Sequence, residues 1–401
     1  MKSRCHVRHR AIRWPTVDCC MNFDLTEEQV AIGDMARSFG ATEIAPHAAR
    51  WEQEESIPKE LLRRVGELGL AGIYVSEEHG GSNLSRLDAA LVFEALSRAC
   101  PSVAAFISIH NMCSWMIDRY GSDALRAKWL PSLCAYEKVC SYCLTEPDSG
   151  SDAAALLTRA EDVGDAWLLN GSKAFISGGG YADLYLVMCR TGGAGASGIS
   201  AMLVENGTLG LSFGAPEKKM GWRSQPTAQV QFDNCRIPKE NLLGKLGDGF
   251  RYAMSGLDGG RLNISACSLG AAQSALDKSV RYTAERKAFG SPLNSFQALQ
   301  FKLADMEIGL QASRTFLYRS AWMLDEQSPD ASRFCAMAKR FVTDTCFEVA
   351  NDALQLHGGY GYLEDYGIEK IVRDIRVHQI LEGTNEIMSL ITARALLPDA
   401  D

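Results

Sequence analysis

The stretch "QILEGTNEIM", residues 379–388, sets a carboxylate, Glu382, directly before Gly383, with Thr384 and Asn385 following. One reading is a helix end followed by a new N-cap; the other is a general base on a bent backbone facing a ligand. A second stretch, "ERKAFGSPLNSFQ" (285–297), presents Arg286 and Lys287 ahead of a Phe-Gly break. An arginine there can fork onto a pyrophosphate, or simply end a helix in solvent. A third, "YCLTEPDSGSD" (142–152), leaves an apolar run for a loop rich in hydroxyls and backbone donors. Such a loop can hold a polar ring or phosphate, or serve as an ordinary strand exit. A fourth, "LQLHGGYGYLEDYG" (354–367), packs glycines and tyrosines behind a helical run, for close backbone approach to a ligand or for a structural stop.

The elements that must carry these groups follow from periodicity. From about Leu25 to Pro131 the pattern is helical. In "PKELLRRVGELGLAG", Pro58 suits a first turn, Leu61, Leu62, Val65 and Leu68 share a face, and Gly69 is a stop. In "GSDALRAKWLP", Ser122 suits an N-cap and Pro131 a terminator. Near Val139 the texture changes. "AWLLNGSKAFIS", "DLYLVMCR", "ISAMLVE" and "AQVQFDNCRI" are short, apolar or alternating, and separated by glycine-rich turns, which predicts strands closed off by Pro238 and Gly244. From Gly249 the helical period returns; Leu262, Ala266, Leu269, Ala272, Leu276 and Val280 recur at three and four, and "DEQSPD" separates two long helices. The reading is mainly α with a β middle: an N-terminal helical domain over 21–137, a central β-barrel-like domain over 138–248, and a C-terminal four-helix bundle over 249–401.

Composition excludes several classes. The 401 residues are 46% hydrophobic and 22% charged, with a net charge of -8, so a globular fold is expected and nucleic acid is disfavoured as a partner. No run is long and apolar enough to predict a membrane span. The 13 cysteines lack zinc spacing, and no H-E-x-x-H is present, so no metal site is expected. Cys140 and Cys143 form one C-x-x-C inside a strand-like run, where a buried reduced pair is the better reading than a redox motif. Residues 1–20 hold Lys2, Arg4, Arg8, Arg10 and Arg13 against the single acid Asp18, the composition of a candidate transit peptide or of a basic tail. Two familiar motifs fail on context. "GAGASG" (193–198) lies between strand-like runs rather than between strand and helix, and "GLSFG" (210–214) does not feed a helix.

In their order, "YCLTEPDSGSD", "AFIS", "DGGR", "RKAFG", "QLHGGYGY" and "LEGTNEIM" resemble the motif series of the acyl-CoA dehydrogenase family, from about Asn22 to Leu397. The resemblance implies an FAD enzyme that oxidises an acyl thioester at its α,β-bond, assembled as a homotetramer in the mitochondrial matrix, with electron-transfer flavoprotein as acceptor. "GWRSQPT", "ACSLGAA", "LADM" and "VRDIRVHQILEG" are similar to members acting on isobutyryl-CoA, which would be oxidised to methacrylyl-CoA in valine breakdown. A short-chain or 2-methyl-branched substrate, an acyl-CoA oxidase, and a non-catalytic acyl-CoA-binding scaffold are the competing readings.

Residue by residue, the resemblance implies that Tyr142, Cys143, Leu144, Thr145 and the loop through Ser151 line the flavin, with Ser151 also touching the CoA part of the substrate. Phe175, Ile176 and Ser177 match flavin contacts; Arg286, Phe296, Gln297 and Gln355, Leu356, His357, Gly358, Gly359 match contacts with a neighbouring subunit's FAD; Thr384, Asn385 and Glu386 match cofactor contacts. Asp258, Gly259, Gly260, Arg261 and Arg394 match substrate-side positions, and Glu382 matches the catalytic base. Some relatives place the base immediately before the arginine matching Arg261. Here that residue is Gly260, which has no side chain to serve. Asp148 and Ser389 stand where many relatives carry Gly and a basic residue.

Overall fold

The computed structural model describes residues 24–397, so the candidate transit peptide at 1–20 lies outside the described residues. Six helices come first: α1 (Glu27–Phe39), α2 (Ala48–Gln53), α3 (Lys59–Glu67), α4 (Arg86–Ser97), α5 (Pro101–Tyr120) and α6 (Asp123–Cys134). Local chemistry sets their starts. Thr26 and Gln29 form a reciprocal capping box on α1, as do Ser85 and Asp88 on α4, each satisfying amides the helix leaves unpaired. Ser122 caps α6 by accepting from the Leu125 amide at 3.3 Å. Two expectations are corrected. Pro58 is the N-cap of α3, one residue before its first turn, and Pro131 lies inside α6, which runs on to Cys134. Burial of Leu125, Trp129, Leu130 and Leu133 on one side outweighs the backbone bond that Pro131 cannot donate.

The strands then follow: β1 (Cys140–Cys143), β2 (Arg159–Asp162), β3 (Ala166–Ser177), β4 (Leu184–Arg190), β5 (Ile199–Glu205), β6 (Leu211–Phe213), β7 (Thr227–Pro238) and β8 (Leu242–Leu243). They form one mixed sheet in the order β6-β7-β3-β2-β4-β5-β8, with β1 running parallel along β4 from Leu184 to Val187. The expected barrel-like closure is not what the pairing gives. The path begins at the three-residue β6 and ends at the two-residue β8, and these do not pair. Alternation along strands specifies faces, not closure. The GAGASG stretch is the β4–β5 hairpin loop, and GLSFG contains β6. Every cysteine among the described residues, Cys140 and Cys143 included, is buried with a free thiol.

The remainder is helical apart from a small hairpin. It comprises α7 (Gly249–Glu285), the pair β9 (Lys287–Ala288) and β10 (Ser291–Pro292), then α8 (Gln297–Asp325), α9 (Ala331–His357), α10 (Ile368–Arg376) and α11 (Asn385–Leu396). α7, α8 and α9 pack side by side, with α10 and α11 laid against α9 as the fourth side. α7 is the hub, packing on α9, α8, α4 and α5, and its middle from Asp258 to Ala272 is buried throughout. One apolar core runs from the N-terminal helices through β3 and β7 into α7–α9, and a second joins α5 and α6 to β1, β4 and β5. Among the described residues no helix is long and apolar enough to cross a membrane.

Candidate active site

Between α10 and α11 the chain makes one short 3-10 turn, Val377–Gln379, and then bends. Glu382 has φ 57° and Gly383 φ 88°, two successive left-handed residues. Thr384 then caps α11, its Oγ1 accepting from the Ile387 amide at 3.4 Å. The stretch is therefore a helix stop with a new N-cap, and it also sets a carboxylate on a bent backbone. The left-handed glutamate costs about 1–2 kcal/mol, which surrounding bonds must offset. Gly383 cannot be replaced cheaply, because any side chain is strained at φ 88°.

Two cations fasten the bend from opposite sides. From α7, Arg261 donates from Nε to the Glu382 carbonyl (3.3 Å) and from Nη1 to Asp258 (2.7 Å). Ser332 donates to the other Asp258 oxygen. From α9, Lys339 donates from Nζ to the Gly383 carbonyl and to Asn385 Oδ1, both at 2.8 Å. Asn385 in turn donates to Thr343 Oγ1 (3.0 Å) and to Asp344 Oδ1 (2.7 Å), and Gln379 donates to Asp344 as well (2.7 Å).

The carboxylate these bonds hold is itself unpaired. Glu382 Oε2 is buried and makes no hydrogen bond. It faces the bare Cα of Gly260, where an added Cβ would stand 2.5 Å from Oε2. Burial pushes the Glu382 carboxyl up to about 7, against the opposing charges of Arg261 and Lys339. Burial pushes Lys339 the other way, down to about 7, against the pull of Glu382. The Tyr142 hydroxyl, also buried without a partner, is raised by burial and by the Glu382 charge. The Glu382 amide makes no hydrogen bond among the described residues, so a donor and a base sit on the same residue. A half-buried carboxylate near neutrality, one oxygen enclosed, beside a free amide is equipped to take a proton from a carbon acid whose carbonyl the amide polarises.

The loop after β1 is drawn onto β3. Ala174 donates to the Thr145 carbonyl (2.9 Å) and Ser141 to the Ser177 carbonyl (2.6 Å), so Tyr142–Thr145 and Phe175–Ser177 form one surface. Phe175 sits at a β-bulge with φ 58° and is 68% exposed, which turns its ring out of the sheet. Beneath, the buried pair Lys173–Glu146 (2.8 Å) secures the loop, with Glu146 accepting from the Leu157 and Thr158 amides. Ser151 and Asp148 are exposed on the same loop. A second group surrounds a cavity of about 500 Å³ lined by Arg286, Lys302, Gln355, Leu356, His357 and the glycines 358 and 359. That lining includes none of residues 142–151 or 175–177. Phe296 and Gln297 open α8 near the hairpin, Glu386 is exposed in the first turn of α11, and Arg394 is exposed towards its end. Ser389 donates to the Asn385 carbonyl at 2.7 Å, inside its own helix.

Three family models match the chain in series: "Acyl-CoA dehydrogenase, N-terminal domain" over 26–137, "middle domain" over 141–235 and "C-terminal domain" over 247–397. The chain belongs to the acyl-CoA dehydrogenase family. It is 54% identical over 375 residues to the isobutyryl-CoA dehydrogenase, mitochondrial, of Bos taurus, covering 94% of this chain and 90% of the relative. The protein of the same name from Dictyostelium discoideum is 54% identical over 376 residues, with the same coverage. Among solved structures, butyryl-CoA dehydrogenase from Megasphaera elsdenii superposes with a TM-score of 0.91 at 38% identity, covering 94% of this chain and all of that one. An FAD complex of PigA superposes at 0.90 with 29% identity, covering 94% and 99%. The protein is thus an acyl-CoA dehydrogenase, an oxidoreductase of a family whose members bind FAD.

The residues of this acyl-CoA dehydrogenase suit that cofactor. Arg286 has no carboxylate partner among the described residues and stands 5.3 Å from the Tyr360 ring at the cavity rim. An added Cβ at Gly358 or Gly359 would meet nothing within 4 Å. A free guanidinium over open glycine backbone is a fitting cradle for a pyrophosphate. Two buried side chains, one bonded to the 383–385 turn and one packed against Gly259, were missed by sequence reasoning. Lys339 lies mid-helix with no motif around it. Arg86 is buried between Tyr74 (3.7 Å) and Trp115 (4.6 Å) and faces Gly259, where a Cβ would lie 2.5 Å from its Nη1. Only the fold brings either to the site, so no local signal could have found them.

Proposed function

We propose that this enzyme oxidises isobutyryl-CoA to methacrylyl-CoA, a step of valine breakdown, in the mitochondrial matrix, with Glu382 as the base. The observation that supports this most is the half-buried Glu382 carboxylate, its Oε2 enclosed and unpaired, held on a left-handed turn against the side-chain-less Gly260. FAD, when bound, supplies the acceptor for the hydride that leaves the β-carbon. Glu382 takes the α-proton, and its elevated proton affinity matches it to operation near neutral pH. The Glu382 amide donates to the thioester carbonyl as the α-carbon becomes negative; a donor of this kind is worth about 3 kcal/mol. Arg261, held by Asp258, keeps that residue's carbonyl turned away from the substrate. The enclosure of Glu382 Oε2 and of the Tyr142 hydroxyl beside the buried Gly260 desolvates that side of the carboxylate, which keeps it basic.

Tyr142–Thr145, Ser151, Phe175–Ser177 and the turn 384–386 would hold the isoalloxazine side of the FAD, while Arg286, Phe296, Gln297 and residues 355–359 would hold the pyrophosphate side of a neighbouring subunit's. The absence of the first surface's residues from the lining of the cavity supports a homotetramer in which each cofactor is shared. Asp258–Arg261 and Arg394 are assigned to the substrate side, and electron-transfer flavoprotein is the acceptor by family resemblance. The branched substrate rests on the 54% identity with two proteins named for it. The test is an anaerobic titration of the flavin absorbance with isobutyryl-CoA, butyryl-CoA, 2-methylbutyryl-CoA and isovaleryl-CoA. Fastest bleaching by isobutyryl-CoA is the expected result. Faster bleaching by another thioester would discard the substrate and retain the mechanism.

A further inference from the structure

We infer that Lys339 is a positioning residue for the reaction: it fastens the turn that carries the base, and its charge favours the base's ionised form. This rests on Glu382 being the base. Lys339 is fully buried in the middle of α9, where a lysine is rarely found without a carboxylate bonded to it. Its two acceptors are both neutral, the Gly383 carbonyl and Asn385 Oδ1, each at 2.8 Å. Those acceptors flank Thr384, so a single ammonium clamps both ends of the bend between the left-handed pair and α11. No carboxylate lies within ion-pair distance of Lys339 among the described residues; its ammonium bonds go to neutral groups.

The charges around it come from every packed element. Arg261 on α7 opposes it; Glu382 on the turn, Asp344 on α9 and Glu386 on α11 support it. His378, on the short turn before Glu382, is held neutral by burial and by Lys339 itself. Lys339 and Arg261 together oppose the desolvation of Glu382, and they do so from different helices. Arg261 spends its guanidinium on Asp258, which offsets its charge. Lys339 bonds only neutral acceptors, and removing its charge leaves the Glu382 carboxylate with Arg261, the larger of the two opposing charges, as its only cation. Without Lys339, Glu382 should bind its proton more tightly, and the bend should open more often.

The experiment uses the flavin-loaded enzyme and the variants Lys339→Met, Lys339→Gln, Asn385→Ala and Glu382→Gln. Two readouts are taken: the pH profile of kcat/KM for isobutyryl-CoA, and amide hydrogen exchange across residues 380–388 without substrate. For both Lys339 variants the acid limb should rise by about one pH unit, the lower end of what an opposite charge at close range does. Exchange in the turn should quicken by roughly tenfold, the equivalent of one lost hydrogen bond. Asn385→Ala removes an acceptor of Lys339, together with the bonds to Thr343 and Asp344, and leaves the Lys339 charge, so it should quicken exchange. A uniform loss of activity with an unmoved limb in the Lys339 variants overturns the electrostatic role. Exchange no faster than wild type, in Asn385→Ala or in whichever Lys339 variant folds, overturns the clamp. Substantial turnover by Glu382→Gln would instead remove the base assignment, with the exchange comparison still deciding the clamp.

Discussion

Replacing Glu382 by Gln should stabilise the protein while abolishing its turnover, and the gain should depend on pH. The carboxyl moves from an ordinary 4.5 in the unfolded chain to about 7 in the fold. A group whose folded value is raised lends stability at low pH and loses it as pH rises through the folded value. At about 1.4 kcal/mol per pKa unit, ionising Glu382 in the fold costs about 3 kcal/mol near pH 8. Near pH 5.5, only one unit above the unfolded value, the cost is about 1.4 kcal/mol. Glutamine has the same shape and no proton to lose, so its advantage over wild type should grow by about 2 kcal/mol between those two conditions. Paired urea unfolding curves of wild type and variant at both pH values measure this, with FAD in excess to hold cofactor linkage fixed. Flavin absorbance should remain and substrate bleaching should vanish. An advantage equal at the two pH values would refute the burial argument, and retained bleaching would refute the base.

Gly260→Ala would place a methyl group 2.5 Å from the Glu382 carboxylate, and Glu382 must yield. Displacement of a reacting group by about 1 Å costs on the order of 100-fold, so kcat should fall by that much with folding intact, checked by steady-state kinetics and circular dichroism. Arg286→Ala should loosen the cofactor, since a charge-assisted bond is worth about 1.5–3 kcal/mol, or roughly tenfold or more in affinity. The ratio of flavin to protein absorbance after gel filtration would report it, and an unchanged ratio would count against the cavity as a pyrophosphate cradle.

Much of the architecture was legible because it is written locally. Gly249 opens α7 where the helical period resumes, Ser122 caps α6, and the glycine-rich GAGASG stretch turns between β4 and β5. What escaped is what depends on distant partners. Pro131 was read as a terminator because its missing donor is a local fact, whereas the burial that carries α6 past it is not. Barrel closure was expected because strand patterns name faces and leave edges unspecified. At the site, Glu382 drew notice through its glycine neighbour. Lys339 did not, since a lysine among "AMAKRF" reads as solvated surface until the turn of 382–385 is folded over it.

The closeness of Gly260 to Glu382 has an evolutionary consequence. Two stretches far apart in sequence, one in the middle of α7 and one ahead of α11, open onto the same few cubic ångströms. A lineage could therefore move its carboxylate from one stretch to the other by two exchanges, with neither the backbone nor the reaction redrawn. Ancestry in such a lineage would be traceable through the pocket even where an alignment column for the acid shows none.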